Sequence, residues 1–210
     1  MERLPTGTRQ GQKDEDDPMI KLKKKQLILI GILLALTFGI TALIRVKTNI
    51  TYPLGNSRVN AGVYATLGDA CIFVNVLLLG GPWGAAVSAV GAALADLAVG
   101  SKLYIMGSLM IKTGMAFFIA AFCQRCDKWS RCFAVAGLTE AIMVLGYFVY
   151  DLLIVREFLV AGQAFLINLA QAVVCAGVGT VILHYIPSVH PNKTPQRRRR
   201  SREEDNDVWN

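Results

Sequence analysis

Lys112, Glu140 and Asn168 are the residues of this chain whose types and positions suit chemistry in a dry interior. Each sits near the middle of its own long apolar segment, and the three segments are consecutive. Read as antiparallel helices, they bring an ammonium, a carboxylate and an amide to a similar depth, with Gln171 one helical turn from Asn168. Tyr147, Tyr150 and Asp151 lie toward one end of the middle segment, where they would supply an aromatic wall and an acceptor. Groups of this kind hold a small polar solute rather than break bonds. The sequence contains no GxxxxGK[ST] phosphate loop, no HExxH and no GxSxG, and no nucleophile with an adjacent base. It therefore reads as a protein that is not an enzyme and has no catalytic residue, cofactor or resident metal. If ATP is used, another chain must hydrolyse it.

The elements that must position these groups are membrane helices. The chain has 210 residues, 53% of them hydrophobic, and a positive mean hydropathy. Its apolar runs approach the roughly 20 residues that a bilayer-spanning helix needs. The expected fold is all-α: a polytopic membrane protein with six transmembrane helices and both termini cytoplasmic. The expected domains are a disordered cytoplasmic tail (1–20), a six-helix membrane domain (21–187) and a charged cytoplasmic tail (188–210). The expected helices run over about 26–44, 64–79, 82–99, 102–122, 132–155 and 159–186, with Pro187 ending the last. KLKKK before the first apolar run marks an uncleaved first helix, because a signal peptide has a shorter apolar core and an extreme N-terminal basic region. Most of the 22 Lys and Arg residues fall on the side of the termini, which orients that side toward the cytoplasm. The net charge of +7 comes from clusters at the ends, which suits a membrane surface rather than a nucleic acid.

A charge at mid-bilayer costs at least about 2.5–3.5 kcal/mol, so each buried ion must meet a partner or a ligand. Two readings stand side by side. In one, Lys112 and Glu140 form an ion pair that ties the fourth helix to the fifth. In the other, helices four to six enclose a polar pocket open toward the outer face. Asp69, near the outer end of the second helix, is a further binding candidate, although stabilising the helix N-terminus is a sufficient role for its carboxylate. Asp96, near the outer end of the third, has Lys102 or the first loop as its expected partner. That loop, residues 46–63, is long enough to be a lid and equally suits a plain linker. Cys123 and Cys126 form a CxxC in the turn between the fourth and fifth helices, with no second CxxC and no nearby His to make it a metal site.

Small residues mark the packing faces. Gly31, Ala35 and Gly39 recur every four residues on the first helix. On the third, Ala85, Ala89 and Ala93 form one stripe and Gly84, Ser88 and Ala92 another beside it, so this helix should pack closely on at least two neighbours.

The ordered set of LGDA at residues 67–70, GGPWGAAVSAVGAALADLAVG at 80–100, the Lys112 helix, GYFVYD at 146–151 and NLAQ at 168–171 resembles the substrate-binding S component of energy-coupling factor (ECF) vitamin transporters. The likeness spans about residues 25–187. It implies a multi-pass protein of a prokaryotic cell membrane that captures a vitamin or vitamin precursor on the outer face. It further implies partners in the bilayer: a transmembrane coupling subunit, served by two cytosolic ATPases. In that family an AxxxA pattern on the first helix meets the coupling subunit; the matching positions here are Gly31, Ala35 and Gly39, which keep the spacing and partly replace the alanines. Members with an LGDA sequence are associated with riboflavin, pyridoxine-like vitamers or the hydroxymethylpyrimidine precursor of thiamine. Lys112, Glu140, Tyr147, Asp151, Asn168, Gln171 and Asp69 are then the expected substrate contacts. The rival reading is a membrane scaffold or assembly protein whose buried charges are only structural.

Overall fold

The structure is a computed structural model that describes residues 24–54, 57–60, 62–122, 128–154 and 156–186. Six helices alternate in direction: α1 (Lys24–Leu43), α2 (Gly68–Leu79), α3 (Gly81–Val99), α4 (Ile105–Phe122), α5 (Trp129–Ile154) and α6 (Phe158–Tyr185). A 3-10 turn at Lys102–Tyr104 leads into α4. Five of the helices are long and apolar enough to cross a membrane, and α2 is a shorter apolar one. Leucine, isoleucine, valine and phenylalanine point outward along the long helices, for example Ile32, Leu94, Phe117, Leu145 and Leu166. Asp69, Asn75, Ser88, Asp96, Ser108, Lys112, Thr139, Glu140 and Gln171 are buried. A chain that turns its apolar side chains outward and its ionisable ones inward is built for a bilayer.

The third helix packs on α1, α2 and α4, and both of its small-residue stripes are buried. At Gly84 an added Cβ would stand 2.7 Å from the Cα of Val76, so the α2 and α3 backbones are in direct contact there. The stripe on α1 behaves differently. The face that α1 turns to the core is Leu33, Thr37 and Thr41. Gly31 and Ala35 are exposed and Gly39 is half-buried, and a Cβ at Gly31 or Gly39 would meet nothing within 4 Å.

One expectation about the elements needs correction. Residues 64–66 do not begin a helix: Tyr64–Thr66 is a strand, β4, antiparallel to β1 (Arg45–Lys47), with Val46 opposite Ala65. The strand pairs with β1 over all three of its residues, and the Gly68 N–H donates to Thr66 Oγ1 at 3.1 Å, so α2 starts only at Gly68. Its 12 residues cover ~18 Å at 1.5 Å per residue, well short of the ~30 Å hydrocarbon core. The long first connection, moreover, is folded. Inside the β1–β4 pair a second hairpin joins β2 (Thr51–Leu54) to β3 (Ser57–Asn60). Ile50 and Val63 from this connection pack with Tyr104, Val160 and Ala164. The two tails, Pro187 and the pair Cys123 and Cys126 lie outside the described residues.

Candidate functional site

Because α2 starts late, its first turn lies deep in the bundle instead of at the surface. Asp69 in that turn is 1% exposed and meets the middle of α4, where its Oδ1 takes the Lys112 ammonium. The Gln171 amide from α6 donates to Asp69 Oδ2 at 2.7 Å. The same side chain accepts the Thr66 N–H of β4 on its Oε1, also at 2.7 Å. One glutamine thus links the buried ion pair to the folded connection. Lys112 also stands 5.3 Å from the centre of the Tyr147 ring, within cation–π range.

A second set of bonds forms one wall. Tyr64 of β4 donates its hydroxyl to Asp96 Oδ1 at 2.5 Å, and Ser108 donates to Asp96 Oδ2. Ser108 Oγ and the Tyr147 hydroxyl are 2.7 Å apart. Burial, reinforced by the Asp96 carboxylate, pushes the Tyr64 phenol far above its ordinary range, so it stays a donor. Overhead, Ser101 donates to the Gly62 carbonyl at 2.7 Å and Thr48 to the Val63 carbonyl at 2.6 Å. Gly62 holds φ 77°, a left-handed turn that glycine adopts without strain, and its N–H is taken by the Asn60 side chain.

These groups surround one cavity, with about 570 Å³ of empty space including the part open to solvent. Its lining draws on Thr41 of α1, Asp69 of α2, Asp96 of α3, Lys112 of α4, Tyr147 of α5 and Asn168 of α6, roofed by residues 62–64. Asn168 is only 7% exposed and makes no hydrogen bond among the described residues. A buried amide with free donors and acceptor, facing a cavity, has its bonding capacity left for a guest.

Of the expected contacts, Asp69, Lys112, Tyr147, Asn168 and Gln171 line the cavity, and Glu140 and Asp151 do not. Glu140 lies behind the floor beside Asp69 and Cys175. Asp151 accepts the Tyr104 hydroxyl at 2.7 Å, which fixes the ring that pins the first connection. The ion pair of Lys112 is with Asp69, not Glu140, because the late start of α2 delivers Asp69 to the depth of Lys112. Asp69 does lie in the first turn of α2, with its oxygens turned to Lys112 and Gln171, and Asp96 meets Tyr64 and Ser108 in place of Lys102. The pocket also involves all six helices, not only the last three.

Thr66, Tyr64 and Ser108 were not expected in the site. Ser108 precedes Lys112 by four residues, a spacing that places both on one helix face. Tyr64 and Thr66 were hidden by being read as helix. Asp69, Glu140 and Cys175 bring three possible metal-ligand atoms within 4.8 Å of one another. The Lys112 ammonium already sits against this Asp69 carboxylate, and its positive charge would repel a metal ion there.

The sequence model of the family described as ECF-type riboflavin transporter, S component, matches residues 21–187. The chain belongs to this family. It is therefore a transporter subunit of the ECF S component type, integral to the membrane. No curated protein matches the chain. The match runs through the whole described bundle, so the cavity of this S component lies inside the matched region.

Proposed function

We propose that this S component captures a small, flat heteroaromatic vitamin or vitamin precursor from the outer face of a prokaryotic cell membrane. The observation that carries the reading is the unpaired Asn168 amide beside Lys112, Tyr147 and Gln171 in a roofed, largely buried cavity. Lys112 and the amides address the polar edge of the ring, and Tyr147 and Tyr64 give it aromatic walls. A mostly apolar cavity with a few converging polar groups is the usual form of a small-molecule site. Residues 46–66 act as the lid, opening to admit the ligand and closing to exclude water.

Transport then requires a transmembrane coupling subunit and two ATPases. The stripe of Gly31, Ala35 and the half-buried Gly39 is the surface offered to the coupling subunit, since small residues let another helix backbone approach. The termini lie on the cytoplasmic side and the lid outside. The test is uptake of labelled riboflavin, pyridoxine or hydroxymethylpyrimidine by cells that express this chain with or without an ECF module. Accumulation of one compound only when chain and module are both present is the expected result. Uptake indifferent to the chain would overturn the proposal.

A further inference from the structure

Glu140 is 1% exposed, and neither of its carboxyl oxygens has a hydrogen-bond partner. The titratable groups around it are Asp69 from α2, Lys112 from α4 and Cys175 from α6. Tyr147 stands two turns along on α5 itself. One ammonium thus serves the two carboxylates of this group, while Asp96 of α3, the other buried acid within its electrostatic reach, is held by Tyr64 and Ser108. With both acids ionised the group would be net negative in a water-poor interior, and Glu140 would be a buried charge with no hydrogen bond to stabilise it. Uncompensated charges of that kind are strongly destabilising. A further cation must balance the charge. A metal fits badly, because the Lys112 ammonium stands against the Asp69 carboxylate and would repel a second cation of higher charge. A proton needs no coordination shell.

We propose that the cavity floor is a proton-binding site: Glu140 carries a proton and shares it with the Asp69 carboxylate, which leaves the group of Lys112, Asp69 and Glu140 electrically neutral. The proton comes from water and returns to it, and no other group changes its bonding. An Asp69 oxygen already holding one donor retains a lone pair for this second one.

The site also controls the roof. Asp69 holds Gln171, and Gln171 holds the Thr66 N–H of β4. An ionised Glu140 repels Asp69 and competes for Lys112, which breaks that chain. Residues 64–66 therefore lose this one tie when Glu140 loses its proton, while the β1–β4 ladder and the Tyr64 bond to Asp96 remain. This consequence rests on the reading of residues 46–66 as a lid; the proton site itself does not.

Infrared spectroscopy of the purified protein at neutral pH, with and without ¹³C-labelled glutamate, tests the site directly. The expected result is a protonated-carboxyl band that shifts with the glutamate label and is missing from Glu140→Gln. Glu157, the other described glutamate, is exposed. Absence of any label-sensitive acid band would overturn the proposal, and this reading needs only the wild type, so it survives a variant that fails to fold. Hydrogen exchange at the Thr66 amide tests the latch. Its protection, corrected for intrinsic exchange, should fall in the wild type over the pH range where the acid band disappears, and stay constant in Glu140→Gln. Protection that ignores the band overturns the latch. Neither measurement uses a vitamin, so failure of ligand binding would be separately visible.

Discussion

Asp69 does more here than its place after a glycine suggests, because it joins three helices through one carboxylate. Removing one partner of a buried ion pair costs about 3–5 kcal/mol, largely by stranding the other charge. Lys112→Met and Asp69→Asn should each lower stability by a substantial part of that amount, and the double variant should lose less than the sum. Unfolding in detergent, analysed as a double-mutant cycle, measures this; additive losses would contradict a direct pair. Asn168 makes the opposite case. Its amide makes no hydrogen bond among the described residues, so Asn168→Ala should leave stability within about 1 kcal/mol, the ordinary scale of a substitution, while ligand binding disappears. A large loss of folded protein without any effect on binding would make Asn168 interhelical glue.

At the scale of elements, two small-residue stripes have different fates, and the difference can be measured. Gly84→Ala drives a methyl group into the α2 backbone at Val76 and should cost about 1–3 kcal/mol, as overpacking does. Gly31→Ala enters open space on α1 and should be neutral or stabilising, since alanine favours helix by about 1 kcal/mol. Equal effects in parallel thermal unfolding would refute the packing described for α3. The long helices were legible in the sequence because each is a continuous apolar run bounded by turn residues or charges. The buried stripes of α3 were legible through their spacing of four. The start of α2 was not: Tyr64 and Thr66 sit in an apolar run that helix and strand share, and the choice is made by pairing with Arg45 and Lys47, about twenty residues away. The partner of Lys112 followed from that same error, because depth was counted from a helix start placed several residues early. Lys112, Asn168 and Gln171 were legible as residues that face an interior cavity, because polar groups in the middle of apolar helices seldom point to lipid.

At the scale of the molecule, the bundle has a folded, roofed end over a cavity with a few converging polar groups, and a small-residue stripe on α1 that meets no other helix among the described residues. The S component reading assigns them separate tasks, capture and coupling. Gly31→Leu should therefore leave ligand binding intact and abolish uptake through the module, with co-purification of the coupling subunit lost in parallel; uptake at the wild-type level would remove α1 from the coupling surface. The central claim is that the cavity binds a small vitamin. It is tested most directly by thermal unfolding of the purified protein against riboflavin, thiamine, hydroxymethylpyrimidine, pyridoxine-type vitamers, biotin, folate and pantothenate, with Asn168→Ala in parallel. Ligand at 1,000 times its dissociation constant adds about 4 kcal/mol to the bound state. The account predicts a clear rise in the unfolding temperature with one heteroaromatic compound for the wild type and none for Asn168→Ala. Unfolding temperatures unmoved by every compound on well-folded protein, or a rise that Asn168→Ala retains in full, would contradict it.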